Sequence, residues 1–117
     1  KLFLVTDAMP MVGGDAPSFE LYGRTITAVE GVVRNAEGAL AGSALDMATA
    51  VRNCVQLLGL ELDEAARMAS SYPADFLGIA RARGRIAPGL AADLVLLDAT
   101  LQVCATWIAG AMERPQR

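Results

Sequence analysis

Leu2-Phe3-Leu4-Val5-Thr6 is an unbroken apolar, β-rich run, and Asp7 follows it directly, ahead of the loop Ala8-Met9-Pro10-Met11-Val12-Gly13-Gly14. A run without polar alternation reads as a strand covered on both faces, the pattern of a parallel sheet or barrel. Such a strand needs neighbours on both sides. No βα unit precedes it and the chain opens on Lys1 instead of Met, so the sequence is expected to be part of a longer polypeptide. Asp7 then stands where a buried parallel strand ends and a glycine-bearing loop begins, the end from which barrel enzymes draw their catalytic groups. An aspartate there also serves as an ordinary turn former, and spacing does not separate the two roles.

Working outward, residues 19–21, 25–29 and 32–34 are short strand candidates joined at Tyr22-Gly23-Arg24 and Glu30-Gly31. The glycines suit tight hairpins. Ala36-Glu37-Gly38 closes this antiparallel excursion over residues 19–40. Ser43 is the expected N-cap, with Asp46 three residues on, for a helix carrying Met47, Val51, Cys54, Val55 and Leu58 at helical spacing. Gly59 stops it. A second helix covers residues 62–71, with Asp63 and Glu64 complementing the dipole in its first turn. Pro73 ends that helix and opens a short third one that leaves at Gly78. Pro88-Gly89 signals a type II turn, and residues 93–97, 102–108 and a short piece near Met112 read as strands.

The composition limits the chemistry. Of 117 residues 54% are hydrophobic, but 22 are Ala, which makes a wide and shallow core. Ten Lys+Arg against 13 Asp+Glu leave a net charge of −3, which excludes a phosphate-tracking surface and with it a nucleic-acid ligand. The longest uncharged run, residues 99–112, falls short of the roughly 20 residues that cross a bilayer. Thr6 and Asp7 interrupt the opening run too early for a signal peptide. Cys54 and Cys104 lie in apolar-periodic segments and are expected to be inert reduced thiols, in keeping with a cytoplasmic location. With no His in the chain, the commonest general base and the commonest metal ligand are both missing. Carboxylates, hydroxyls and backbone remain.

Leu40-Ala41-Gly42-Ser43 reads as a small-residue approach to a helix N-terminus, whose N–H groups can receive an anion or a substrate oxygen. The same residues also make an ordinary capped loop, and neither a Walker nor a dinucleotide fingerprint accompanies them. Trp107 on an alternating strand is expected in the core. Arg81, Arg83 and Arg85 alternate with small residues as a solvated edge does.

Taken together, Leu4-Val5-Thr6-Asp7-Ala8-Met9, Glu37-Gly38-Ala39-Leu40-Ala41-Gly42-Ser43, and Met47 with Ala50-Val51-Arg52-Asn53 resemble the C-terminal part of the N-acetylglucosamine-6-phosphate deacetylase family. Glu64-Ala65-Ala66-Arg67-Met68-Ala69 and Tyr72-Pro73-Ala74 continue the likeness. Gly84-Arg85-Ile86-Ala87-Pro88-Gly89 with Ala92-Asp93-Leu94-Val95 resembles the closing signature of the wider amidohydrolase superfamily.

The resemblance implies an α/β fold, the C-terminal fragment of a (β/α)8 amidohydrolase barrel plus the C-terminal strands of a small β-sandwich. Residues 1–83 would end the catalytic barrel, with residues 2–7 as its eighth strand, residues 19–40 as a hairpin excursion and residues 44–78 as the helices that follow. Residues 84–117 would give the sandwich strands. A complete barrel needs about 250 residues.

The implied reaction is hydrolysis of N-acetylglucosamine 6-phosphate to glucosamine 6-phosphate and acetate. The family uses a divalent metal, zinc or similar, to polarise the amide and activate water, and a carboxylate to shuttle the proton. Asp7 matches the catalytic aspartate, and Leu40, Ala41 and Gly42 match the segment that contacts the sugar. None of the family's metal-holding Glu and His residues has a counterpart here, so the chain alone is expected to be inactive. An amino-sugar phosphate is the expected small-molecule partner, within a homo-oligomer and with no membrane or nucleic acid involved. Two other readings compete: another amidohydrolase, which shares only the closing signature, and a non-catalytic binding or assembly domain.

Overall fold

Ten elements form in the computed structural model, which describes every residue except Asp15, Pro17, Glu30, Ala36 and residues 114–117. The fold is mixed α/β, and the chain divides into two units, Val5–Ala50 and Lys1–Leu4 together with Val51–Arg117.

The first unit is an antiparallel meander of β1 (Ser18–Leu21), β2 (Arg24–Val29), β3 (Val32–Arg34) and β4 (Leu40–Ser43), paired in sequence order. Its first corner is set locally. Tyr22 and Gly23 both have positive φ, +52° and +74°, between the paired Leu21 and Arg24, which is a type I′ turn. Alternation along the strands sends Ile26 and Val33 inward, where Met11 meets them and Met9, Phe19, Leu21, Ala28, Ala41 and Ala44 pack around. The corner expected at Glu30-Gly31 and the turn at Ala36-Glu37-Gly38 lie partly outside the described residues.

In the second unit Val51 and Cys54 of α1 (Met47–Gln56) and Ala65 of α2 (Leu62–Ala69) form a core with Leu4, Val55, Leu60 and Ala69. Gly59, at φ +67°, turns the chain so that the Leu60 N–H reaches the Cys54 carbonyl at 3.0 Å. Then come α3 (Ser71–Phe76) and a three-stranded antiparallel sheet of β5 (Leu94–Leu97), β6 (Val103–Ile108) and β7 (Ala111–Glu113). Ala109 and Gly110, both at positive φ, make another type I′ corner. Gly89 at φ +84°, with the Leu90 N–H on the Ala87 carbonyl, gives the expected type II turn. Among the described residues no helix is long and apolar enough to cross a membrane.

Four expectations need correction. Residues 1–7 join no ladder among the described residues. A strand of the inner parallel kind takes its hydrogen bonds from flanking strands, and among the described residues the run is held by single contacts such as Leu4 N–H to the Met68 carbonyl at 2.9 Å. Residues 40–43 are a strand, not an approach to a helix. The N-cap is Asp46, whose carboxylate accepts the Thr49 N–H at 2.8 Å and the Thr49 hydroxyl at 2.7 Å. Pro73 neither ends α2 nor begins α3. The break falls at Ser70 (φ −135°, ψ −74°), and Pro73 sits in the first turn of α3, where a missing N–H costs no intrahelical bond. Of the two free cysteines, Cys54 is buried and Cys104 is exposed. Trp107 is half-buried, and Arg81, Arg83 and Arg85 are exposed.

Candidate active site

Asp7 leaves the opening run in the left-handed region, at φ +50°. Aspartate enters that region more readily than most residues because its short polar side chain bonds locally. The position is nevertheless a strained one, and such positions cluster at functional sites.

What holds Asp7 there is the end of β4. The Ser43 N–H donates to the Asp7 carbonyl at 2.9 Å, and the Met9 N–H donates back to the Ser43 carbonyl at 2.9 Å. Ala8 and Ser43 thereby form an isolated parallel bridge. The Ser43 hydroxyl donates to the Thr6 carbonyl at 2.5 Å, across 37 positions of sequence, and accepts the Leu45 N–H at 3.1 Å.

Strand β4 reaches Asp7 through a bulge. Val32 pairs with Ser43 and Arg34 with Leu40, so β4 carries one residue more than β3 over that interval. Gly42 absorbs the irregularity at φ +115°. A Cβ at Gly42 would stand 2.5 Å from Met9 Cγ, 2.8 Å from Met9 Sδ and 3.0 Å from the Asp7 carbonyl oxygen. Only glycine lets the two backbones come this close.

Of the residues singled out in the sequence, Asp7 and Gly42 are therefore neighbours, Gly42 being buried and Asp7 exposed. Ala41 is half-buried beside Gly42, and Leu40 points outward at 71% exposure. Local sequence marks Ser43 as a helix cap and carries no signal of its part at Asp7. No group of three His, Cys, Asp or Glu side chains able to hold a metal occurs among the described residues. With no His in the chain either, the residues present do not fit a metal centre. The lowered carboxyl pKa values resolved among the described residues belong to Glu64 and Asp98, and hydrogen bonds from Tyr72 and from the Gln102 N–H are their respective leading causes.

The opening segment thus ends on an aspartate held at positive φ against a bulged small-residue strand. The amidohydrolase family model matches residues 1–113, and the chain belongs to the amidohydrolase family, which is generally metal-dependent. Particular relatives narrow the likeness. The chain is 43% identical over 110 residues to N-acetylgalactosamine-6-phosphate deacetylase of Escherichia coli O157:H7, covering 94% of this chain and 29% of that one. It is 43% identical over 109 residues to N-acetylgalactosamine-6-phosphate deacetylase of Shewanella sp. (strain ANA-3), covering 93% and 27%. The crystal structure of N-acetylglucosamine-6-phosphate deacetylase from Pasteurella multocida matches with a TM-score of 0.90 at 35% identity, over 97% of this chain and 30% of that one. The chain thus spans less than a third of the length of each of these three relatives.

Proposed function

We propose that this chain is the part of a metal-dependent amidohydrolase that supplies the proton-shuttling carboxylate, Asp7, in deacetylation of N-acetylglucosamine 6-phosphate. Residues 1–83 would belong to the end of its barrel and residues 84–117 to its sandwich. The observation that carries the reading is the juxtaposition of Asp7 with Gly42 through the Ser43 N–H. It joins the candidate acid–base group to the candidate sugar-contacting segment.

The chemistry divides simply. When bound, a metal in this family polarises the amide and acidifies water, and its ligands would come from polypeptide outside this chain. In this chain's share, Asp7 accepts the proton of the attacking water as the oxygen bonds to the acetamide carbonyl carbon. It then returns that proton to the sugar nitrogen as the C–N bond breaks, leaving acetate and the free amine. The bulged backbone at Ala41 and Gly42 borders the sugar.

A second reading keeps the chemistry and changes the sugar. The relatives at 43% identity act by name on N-acetylgalactosamine 6-phosphate, against 33% to 38% for the N-acetylglucosamine-6-phosphate deacetylases of Haemophilus influenzae and Mus musculus. These substrates differ only in the orientation of the C4 hydroxyl.

The test is acetate release by the intact protein from each sugar phosphate, before and after Asp7→Asn. Loss of about 10²–10⁴ in kcat is expected on removing the acid–base group. Unaltered turnover would overturn the reading. The ratio of kcat/KM for the two epimers decides the sugar. Residues 1–117 alone, with zinc added, are expected to release no acetate.

A further inference from the structure

We infer that Ser43 is a positioning residue for Asp7, aiming its carboxylate by gripping the peptide groups on both sides of it; this rests on the role proposed above for Asp7. A general base works only when its proton-accepting oxygen lies within hydrogen-bond reach of the reacting group. The direction of the Asp7 side chain is set by its backbone, and that backbone is in a sparsely populated conformation at φ +50°. Such conformations persist only when the surroundings over-determine them.

Ser43 supplies that determination from both sides. Its hydroxyl donates to the Thr6 carbonyl, in the peptide group preceding Asp7, at 2.5 Å. Its N–H donates to the Asp7 carbonyl, in the peptide group following, at 2.9 Å. With both peptide planes tied to one residue, the Cα–Cβ bond of Asp7 has little freedom left. The Leu45 N–H, 3.1 Å from the Ser43 oxygen, fixes the hydroxyl in turn by leaving its hydrogen directed at Thr6. Met9 N–H on the Ser43 carbonyl at 2.9 Å ties the far side of the loop to the same residue. The main-chain contacts survive substitution. The hydroxyl bond to Thr6 does not, so it is the removable half of the grip.

The experiment compares Ser43→Ala, Ser43→Thr and Asp7→Asn in the intact protein, well below the melting temperature, with kcat and KM measured separately. Ser43→Ala is expected to lower kcat by about 10- to 100-fold, since small misplacements of reacting groups cost that much, and to leave KM within about twofold. Ser43→Thr, which keeps the hydroxyl, is expected to restore kcat to within about threefold of the parent on the same argument. The solvent deuterium isotope effect on kcat is expected to rise in Ser43→Ala as proton transfer becomes slower, and it decides the matter if threonine does not fit the strand end. Unchanged kcat and isotope effect in Ser43→Ala, alongside loss of turnover in Asp7→Asn, overturns the role of Ser43 alone. Unchanged turnover in Asp7→Asn overturns the reading on which it rests.

Discussion

Met9 fills the space that a side chain on Gly42 would need, with its Cγ 2.5 Å and its Sδ 2.8 Å from the position of a Cβ there. The apposition is close because β4 bulges at this point and Gly42 takes φ +115°. Gly42→Ala meets two separate penalties, left-handed backbone strain and displacement of Met9. Together they are expected to cost about 2–4 kcal/mol, read as a lowered denaturation midpoint. Adding Met9→Ala should recover the packing part and leave the backbone part. Full recovery in the double variant would show that strain at Gly42 is negligible.

Much of the fold is legible wherever structure is decided locally. Tyr22-Gly23 and Ala109-Gly110 declare their hairpins because two consecutive positive φ angles are demanded at adjacent residues. Helical spacing of Val51, Cys54 and Val55 identifies a core face. The opening run forms no ladder in this chain because a buried strand is specified by its neighbours and none pairs with residues 1–7 among the described residues. Strand β4 escapes notice since Ala41, Gly42 and Ser43 have no strand propensity; it pairs because β3 offers an edge. At the helix start, Ser43 and Asp46 are both competent caps, and the one adjoining the helix takes the role. The flanking motif marks Asp7 as a candidate, whereas Ser43's hold on it spans 37 positions and leaves no local trace.

The carboxylate of Glu64 makes acid stability testable. It accepts the Tyr72 hydroxyl at 2.9 Å and the Arg67 Nε–H at 3.0 Å, and these bonds, Tyr72 foremost, hold it below the ordinary glutamate range. A carboxyl depressed on folding adds stability that is fully present above its unfolded pKa and is lost as pH falls through the folded value. Tyr72→Phe should therefore raise the Glu64 pKa. It should lower the melting temperature at neutral pH by an amount that narrows below about pH 4, since the unfolded value lies near 4.3. Denaturation curves at several pH values check this, and a difference that widens in acid would contradict it.

Asp98 organises the turn between β5 and β6. Its Oδ1 accepts the Gln102 N–H at 2.9 Å and the Thr100 hydroxyl and N–H at 2.8 Å each. The Gln102 and Thr100 bonds hold its pKa below the usual aspartate range, and the charge of Arg52 adds to them. Arg52 Nη1 also donates to the Leu101 carbonyl at 2.6 Å, beside a left-handed Leu101 at φ +62°. Asp98→Ala should speed hydrogen exchange at the Thr100 and Gln102 amides, while Asp98→Asn, which keeps an acceptor oxygen, should protect them better than Ala. Equal exchange in the two variants would mean that the loop backbone holds itself.

Asp7 combines a carboxylate with a left-handed backbone, and a series of three replacements separates them. Asparagine keeps the shape and tolerates φ +50°, glycine tolerates the angle without a side chain, and alanine tolerates neither role well. All three are expected to lose turnover alike in the intact protein, because each removes the proposed proton acceptor. Stability should follow a different order. Asp7→Ala should fall by about 1–2 kcal/mol relative to Asp7→Asn, the cost of a left-handed conformation for a residue with a plain Cβ. Asp7→Gly should lie closer to Asp7→Asn than to Asp7→Ala. If activity instead tracked stability across the series, with Asn and Gly retaining turnover and Ala losing it, Asp7 would serve the loop conformation and not the proton transfer.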